Sequence, residues 1–304
     1  MDQHKNIVII IVGPTASGKT ALAIKLAEHF KTEIISADSR QCYKELNIGV
    51  AKPSVEELLR VKHHFINSHS IHETVTAQTF EQYALNSVSK IFEHSNVAVM
   101  AGGTGLYIKA FCGGLDAIPE TDAVIKKNII QQYNLLGLEW LQQQLREKDP
   151  AFWSIAEQQN PHRLIRALEV LESTGKSIIF FRKKKIMHRP FNIIKLGLNI
   201  AKEQLHNNID KRVDEMMKHG LQDEVQSLLP YKNLSALQTV GYKEMFQFFE
   251  NSITLPEAIR LIKSNTKKYA KRQMTWFKKD KSIEWISNDE FAYFIAYLSS
   301  FMGK

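Results

Sequence analysis

The fold of this chain is decided by the segment IVIIIVGPTASGKT, residues Ile7–Thr20. Six apolar residues predict a buried strand, which runs into the pattern G-x-x-x-x-G-K-T and then into a helical pattern. In that context glycines let backbone N–H groups close around phosphate oxygens, Lys19 adds positive charge, and the Thr20 hydroxyl is placed to hold Mg²⁺. The segment predicts a site for a diphosphate or polyphosphate, formed by Gly13, Pro14, Thr15, Ala16, Ser17, Gly18, Lys19 and Thr20.

Composition limits the class of protein. With 304 residues, 44% hydrophobic and 24% charged, the chain can form one or two globular domains. Forty basic against 32 acidic side chains give a net charge of +8, which is compatible with a nucleic-acid partner. Two cysteines cannot build a disulfide framework, and no apolar run is long enough for a secretory signal or a membrane span. We expect a cytoplasmic protein with no membrane partner.

The first third of the chain alternates between strand and helix signals. Glu33–Ala37 and Val97–Ala101 predict further strands, His63–Asn67 predicts a short one, and a helical pattern covers Ala77–Phe92. Strands separated by crossover helices indicate a parallel sheet, in which ligands bind at the carboxyl ends of the strands. The phosphate loop, Asp38 and Gly102-Gly103-Thr104 all fall at that edge.

A second region begins after Ile118-Pro119. Residues 120–190 show helical patterns without a strand, including one helix with Asn160 as N-cap, Pro161 at its first position and Gly175 at its end. Strand patterns return at Ile193–Ile200 and Ile283–Ile286. The fold class is therefore α/β, a parallel sheet flanked by helices as in P-loop NTPases, with an inserted all-helical domain. We place the core at residues 1–118 and 191–304 and the insertion at 119–190.

The strand Val97–Ala101 lacks a feature common in ATPases. Such enzymes usually carry an acidic residue at the end of a later strand, whereas this strand ends in Gly102-Gly103-Thr104. A motor or switch NTPase is therefore disfavoured. Thr104 can cap the next helix or place its hydroxyl on a bound diphosphate, and the sequence leaves both interpretations open.

Asp38 is the carboxylate expected at the sheet edge beside the loop. It can cap a turn of its neighbours, or it can act as a general base or Mg²⁺ partner facing the phosphate site. Gln41 offers an acceptor and donors, the combination that reads an adenine edge.

Two basic regions are candidates for nucleic-acid binding. Arg163 and Arg166 lie one helical turn apart and are either a solvated pair or a clamp for an RNA backbone. Residues 267–279 contain basic and aromatic side chains and no acid, which favours a nucleic-acid surface over a merely solvated helix face. Arg182–Lys185 form a further basic, exposed stretch.

Seven segments in order make the chain similar to a known family. They are Gly13–Thr20, Asp38–Tyr43, Gly49–Pro53, Gly102–Tyr107, Asn160–Val170, Val240–Glu244 and Lys271–Trp276. Together they resemble the bacterial tRNA dimethylallyltransferases, or tRNA isopentenyltransferases, over nearly the whole chain. Two positions depart from the family pattern: Val50 stands where Thr is usual, and Lys126 where Arg is common. Lys keeps the charge but loses the bidentate fork.

The resemblance implies an activity: transfer of a dimethylallyl group from dimethylallyl diphosphate to N6 of the adenosine just 3′ of the tRNA anticodon, with Mg²⁺ bound by Thr20. It implies that Gly13–Thr20 hold the donor, that Asp38 is the base, that Lys19 and Thr104 lie by the reacting groups, and that Lys126 contacts substrate. The implied tRNA contacts are Asp38, Ser39, Arg40, Gln41, His162, Arg163, Leu164, Ile165, Arg166, Gln238, Thr239, Val240, Gly241, Tyr242, Lys243, Lys271, Arg272, Gln273, Trp276 and Lys278.

Three alternatives are weighed against this activity. A small-molecule kinase would share the loop and an acid after the second strand, but gives the basic C-terminal helix no role. An enzyme that prenylates free adenine nucleotides would not need an RNA-binding insertion. A non-catalytic RNA-binding switch is disfavoured by the missing acid on Val97–Ala101. We expect a monomer that binds the tRNA anticodon arm and dimethylallyl diphosphate.

Overall fold

Six parallel strands form one sheet in the computed structural model, which describes residues 6–183, 186–287, 294–296 and 298. The order across the sheet is β3-β2-β4-β1-β5-β6. The strands are β1 Ile7–Val12, β2 Ile34–Ser36, β3 His63–His64, β4 Val97–Gly102, β5 Asn192–Leu198 and β6 Ile283–Ile286. The predicted α/β class with a parallel sheet is confirmed.

Helices lie between successive strands along the chain, and in two places several helices follow one another without a strand between them. In the first half of the chain they are α1 Lys19–Phe30, α2 Val55–Arg60, α3 Ala77–Ile91, α4 Gly105–Gly113, α5 Ala123–Lys148, α6 Pro150–Trp153, α7 Pro161–Thr174 and α8 Ile178–Phe181. In the second half they are α9 Lys202–Lys218, α10 Leu221–Ser227, α11 Tyr242–Phe249 and α12 Leu255–Phe277. Two short 3-10 helices cover Leu229–Tyr231 and Ser235–Leu237. None of the helices in the described ranges has both the length and the hydropathy of a membrane span.

The central strand β1 explains how the sheet is buried. All six of its residues are buried, because alternate side chains enter cores on opposite faces of the sheet. Val8, Ile10 and Val12 belong to one core, and Ile7, Ile9 and Ile11 to the other. In register, Val12 lies between Gly102 of β4 and Gly197 of β5, so the carboxyl ends of the three strands are level. The loop after β1 and the turn after β4 therefore meet at one edge.

The chain divides into two compact units. One comprises the sheet and its helices, before Gly114 and after Met187; the other is the helical segment Gly114–Met187. These divisions lie within a few residues of the predicted 119–190. The helical unit has its own core, in which Leu141, Leu145 and Leu164 are completely buried.

Several local predictions are confirmed and one is too long. The Asn160 side chain accepts the N–H of Arg163 at the start of α7, and Gly175 ends that helix with a φ of 68°. Strand β3, in contrast, covers only His63–His64 rather than His63–Asn67. Phe65 and Asn67 both adopt positive φ, which breaks the extended backbone. In the predicted basic stretch Arg182–Lys185, residues Lys184 and Lys185 lie outside the described part of the chain.

Candidate active site

The phosphate loop joins β1 to α1 and has the form of an anion site. Its backbone takes positive φ at Gly13 (151°), Ala16 (63°) and Gly18 (92°), and turns of this kind gather N–H groups into a concave, anion-binding surface. The Ser17 hydroxyl is buried and has no hydrogen-bond partner in the described residues. Because a buried, unpartnered hydroxyl is unfavourable, a phosphate oxygen would supply what the loop lacks.

Lys19 is half-buried within this loop. Its Nζ donates a hydrogen bond to the carbonyl of Pro14 at 2.6 Å. Burial, followed by the charge of Arg212, lowers the pKa of Lys19 from 10.5 to about 7. Because an anion favours the protonated form of a nearby lysine, a phosphate bound in the loop would raise this pKa.

Arg212 is a second cation at the loop that the sequence did not reveal. It lies on α9, and its Nη1 donates to Thr15 Oγ1 at 3.4 Å. Burial lowers the pKa of this guanidinium as well. No local motif marks Arg212, because only the fold brings it to a loop almost two hundred positions earlier in the chain.

Two cavities open beside the loop and share a wall. The smaller, about 240 Å³, is lined by Thr15–Ala21 together with the ends of β2 and β4. The larger, about 400 Å³, is lined by residues from the loops after β2 and before α11 and from α9 and α12. The residues that line both cavities are Thr15, Asp38, Val50, Ala51, Arg212 and Tyr269. A ligand in one cavity would therefore face a ligand in the other across Asp38.

Asp38 takes the first of the two roles that the sequence left open, the capping of a turn, and its role as a base or Mg²⁺ partner stays a prediction. Its Oδ1 accepts the backbone N–H groups of Arg40 at 2.8 Å and Gln41 at 3.3 Å, so it does cap a turn. Its Oδ2 accepts no hydrogen bond from the described residues, and Asp38 lines both cavities. One carboxylate oxygen thus fixes the side chain while the other is available for chemistry.

Thr104 supports the turn that carries Asp38. Its Oγ1 accepts the N–H of Ser39 at 3.0 Å, and its own N–H donates to Ala37 O at 3.1 Å. A Cβ on Gly102 would lie 2.2 Å from Ala37 O, so only glycine allows the ends of β2 and β4 to approach this closely. The Thr104 hydroxyl therefore joins two strand ends rather than capping α4. A contact between Thr104 and a bound diphosphate stays a prediction.

The Gln41 amide forms hydrogen bonds within the site itself, and a contact between Gln41 and adenine stays a prediction. Oε1 accepts the Ser36 hydroxyl at 3.0 Å, and Nε2 donates to Ala51 O at 2.9 Å. Nε2 also donates to Val50 O at 3.4 Å, so both donors of the amide are used, while Oε1 keeps a second lone pair that could accept a further hydrogen bond. In this structure Gln41 holds the loop around Ala51 in place.

Glu224 on α10 is a further residue that the sequence did not point to. Its carboxylate accepts the N–H groups of Asn47, Ile48 and Gly49 at 2.7–3.1 Å, and the Tyr242 hydroxyl at 2.6 Å. This one side chain therefore orients the loop that leads to Val50 and Ala51. Lys52 follows in the same loop, and burial lowers its pKa to about 8.

The segment 238–243 divides between the cavity and the core. Gln238–Gly241 and Lys243 line the larger cavity. Tyr242, predicted to contact tRNA, is instead completely buried, and its ring fills the space beside Gly49. Its side chain is structural, since it completes the interactions of Glu224.

The basic helix α12 is not uniform. Lys263 and Lys267 form ion pairs with Asp214 and Asp210 of α9, at 2.6 and 2.7 Å. Lys271, Arg272 and Lys278 are exposed, and none has an ion pair within the described ranges. Trp276 is 39% exposed and packs on Gly105, where a Cβ would lie 2.2 Å from its Nε1. Gln273 is buried and points toward the loop, which the prediction of a tRNA contact did not anticipate.

The predicted contacts in the insertion are also of two kinds. His162, Arg163 and Lys126 are exposed, with Arg163 paired to Glu157 at 2.7 Å. Leu164 is completely buried, so its side chain belongs to the core of the insertion rather than to an RNA surface. Ile165 is half-buried. Arg166 is held by Glu169, Thr121 and the carbonyl of Pro119, which makes it part of the unit's own framework.

The residues at the smaller cavity fit Mg²⁺ shared with a ligand. No cluster of three or more His, Cys, Asp or Glu side chains in the described chain could hold a metal on its own. Thr20 and Asp38 both line this cavity and provide oxygen atoms. Mg²⁺ typically binds through one or two protein oxygens together with substrate phosphates and water, so Thr20 is a suitable ligand.

Comparison with known proteins identifies the family. The family model described as IPP transferase matches residues 41–280. The tRNA dimethylallyltransferase of Christiangramia forsetii is 48% identical over 285 residues, 94% of each chain. That of Cytophaga hutchinsonii is 44% identical over 283 residues, 93% of each chain. The crystal structure of the tRNA isopentenylpyrophosphate transferase from Bacillus halodurans superposes with a TM-score of 0.72 and 31% identity, covering 98% of this chain and 97% of that one. The chain therefore belongs to the family of tRNA dimethylallyltransferases, which are prenyl-transferring enzymes.

Proposed function

We propose that this protein transfers the dimethylallyl group of dimethylallyl diphosphate to N6 of the adenosine 3′-adjacent to the anticodon of tRNA. The observation that carries the proposal is the meeting of two cavities at Asp38. One cavity is built for phosphate and the other is wide enough for a base, so the two reactants would meet beside a carboxylate. Family membership supports the same reaction.

The donor side stabilises a leaving group. Loop N–H groups, Lys19, and Arg212 surround the smaller cavity. As the bond between C1 of the dimethylallyl group and the diphosphate oxygen breaks, its electron pair leaves with the oxygen. Fixed donors and cations aimed at that developing charge lower the barrier without reorganisation. Mg²⁺, held by Thr20 together with the diphosphate, would supply further charge neutralisation when bound.

The acceptor side must activate a weak nucleophile. The exocyclic amine of adenine has a lone pair delocalised into the ring, so removal of its proton assists attack. In the proposed step N6 forms a bond to C1, and its proton passes to the carboxylate of Asp38. The adenosine would have to leave its stack to reach Asp38, and the larger cavity, about 400 Å³, has room for a flipped base.

The surroundings of the larger cavity suit RNA. Arg40, Lys243 and Arg272 line it, and the unpaired cations of α12 continue the positive surface. Tyr269 lies at the junction, and burial raises its pKa to about 12, so it is a neutral phenol at physiological pH. We expect the enzyme to act as a monomer in the cytoplasm.

The direct test incubates purified protein with unmodified tRNA, dimethylallyl diphosphate and Mg²⁺, followed by mass spectrometry of the digested nucleosides. We expect N6-isopentenyladenosine and an equal amount of diphosphate. Parallel reactions replace the donor with ATP, to test the kinase alternative, and the acceptor with AMP, to test prenylation of free nucleotides. Folded protein that modifies no tRNA, or that modifies only AMP, would contradict the proposal.

A further inference from the structure

One buried side chain, Gln273, connects three segments of the site. It lies on α12 and is only 6% exposed. Its Oε1 accepts the backbone N–H of Thr15 in the phosphate loop at 2.8 Å, and its Nε2 donates to the carbonyl of Gly103 at 3.0 Å. A single amide thus links α12 to the loop after β1 and to the turn after β4.

This polar side chain interrupts an apolar stripe. The other buried residues of α12 are Ala258, Ile262, Ala270 and Phe277. An amide in such a position is unfavourable unless its donor and its acceptor are both satisfied, and here both are. An apolar residue would also fill the space, but it could not orient the two backbone groups. The choice of glutamine is therefore explained by positioning rather than by packing.

The two hydrogen bonds of Gln273 connect the segment that would bind the prenyl donor with the segment that holds the proposed base. Thr15 lies in the phosphate loop, and its hydroxyl accepts a hydrogen bond from Arg212. Gly103 immediately precedes Thr104, whose Oγ1 holds the Ser39 N–H beside Asp38. The amide of Gln273 therefore spans the distance between the segment that would bind the diphosphate and the segment that carries the base.

Gly103 is shaped around this amide. A Cβ on Gly103 would lie 2.0 Å from Gln273 Nε2. The neighbour in this case is a side chain, so a methyl group at position 103 would push the amide away without touching the backbone of the phosphate loop. Residue 103 thus offers an independent way to disrupt the same contact.

We propose that Gln273 is a positioning residue, which keeps the phosphate loop and the Gly103–Thr104 turn at a fixed separation so that the donor carbon and the acceptor nitrogen align over Asp38. This inference rests on the proposed function. Two adjacent residues of α12 then have different roles. Arg272 lines the larger cavity, where the RNA would lie, and Gln273 lines the smaller cavity beside the phosphate loop.

The test compares Gln273→Ala, Gly103→Ala and the double variant in steady-state kinetics. Misalignment should lower kcat at least about tenfold in each single variant, while KM for tRNA changes less than about threefold. Because alanine at 273 vacates the space that a methyl at 103 needs, the double variant should be no slower than Gln273→Ala. Gln226→Ala, on the exposed surface of α10, is the matched control and should behave as wild type.

A second measurement does not depend on turnover. Hydrogen exchange followed by mass spectrometry should show faster exchange in the peptide containing Thr15 for Gln273→Ala, and no change for Gln226→Ala. If Gln273→Ala does not fold, Gln273→Met keeps the volume of the side chain and carries the same expectations. Unchanged kcat and exchange in a folded Gln273 variant, or losses that multiply in the double variant, would overturn the inference. Inactive wild-type enzyme would count against the proposed function instead, while the exchange result still decides the role of Gln273.

Discussion

The two cavities of the site are built in different ways. The smaller contains one continuous stretch, Thr15–Ala21, which follows a buried strand and contributes seven of its 19 lining residues. The larger is assembled from residues of several distant segments, including Arg40, Arg212, Val240 and Arg272. The backbone conformation of a continuous motif depends on neighbouring residues, whereas a lining made of distant segments forms only once the chain has folded. This difference explains why the sequence predicted the phosphate loop of the smaller cavity but few of the residues that line the larger one.

Asp38, one of the six residues that line both cavities, should give the largest effect. Asp38→Asn keeps an oxygen that can accept the N–H groups of Arg40 and Gln41, but removes the base. We expect the single-turnover rate to fall at least about a hundredfold, as is typical when general base catalysis is lost. Binding of tRNA, measured by filter retention, should be unchanged. A rate near that of wild type would remove Asp38 from the mechanism.

A variant at the phosphate loop should weaken binding of dimethylallyl diphosphate more than binding of tRNA. Arg212→Met removes a half-buried cation beside the phosphate loop and should raise KM for dimethylallyl diphosphate about ten- to a hundredfold, since hydrogen bonds to charged groups contribute about 1.5–3 kcal/mol. Arg212 lines both cavities, but its guanidinium hydrogen-bonds Thr15 of the phosphate loop, so the affinity for tRNA should change less. Lys211→Met, at the exposed neighbouring position, is the control. An equal loss of affinity for both substrates would show that the two cavities do not act separately.

Lys19 should make donor binding depend on pH. Its pKa is lowered to about 7, and a bound anion would raise it. Above pH 7 the free enzyme must therefore take up a proton on binding, and affinity should fall by up to about tenfold per pH unit. Calorimetry in buffers of different ionisation enthalpy would measure this uptake. Lys19→Arg, which stays protonated, should abolish it; equal uptake in that variant would assign the proton to another group.

A Glu224 variant would test how strongly this side chain holds the loop beside the larger cavity. Glu224→Gln leaves only one acceptor oxygen for the three backbone N–H groups and the Tyr242 hydroxyl, which should lower the free energy of unfolding by about 1–3 kcal/mol. Denaturant titration would measure the loss. Asp223→Asn, one residue earlier and exposed, should have no such effect. Equal stability of the two variants would mean that water replaces the lost bonds at no cost.

The smallest expected effect distinguishes the two halves of α12. Lys271→Met should reduce the slope of log affinity against log salt concentration for tRNA by about one, because an unpaired lysine is available to a phosphate. Lys263→Met should leave that slope unchanged, because Asp214 already neutralises Lys263. Equal slopes for the two variants would contradict this division of the helix.

Where a residue belongs to a short sequence motif, its position in the fold could be predicted from the sequence. The role of its side chain could not always be predicted. The sequence identified β1, the phosphate loop, Asp38 at the carboxyl edge and the caps of α7, because each depends on neighbours within a few positions. It also pointed to Gln41, Tyr242, Leu164 and Gln273 as substrate contacts. The structure shows the amide of Gln41 hydrogen-bonded within the site and the other three side chains buried. A motif marks a position as constrained, and the constraint at these positions is tertiary packing.

The sequence by itself determined the class of the protein: a strand of six apolar residues followed by G-x-x-x-x-G-K-T predicts a phosphate loop at the edge of a sheet, because the signal depends on local backbone geometry and burial. Only the tertiary structure decided which distant side chains complete that loop. Arg212 and Gln273 reach Thr15 across 197 and 258 positions, and Glu224 reaches Gly49 across 175. Contacts over such separations depend on how helices pack on the sheet, and no local pattern records them.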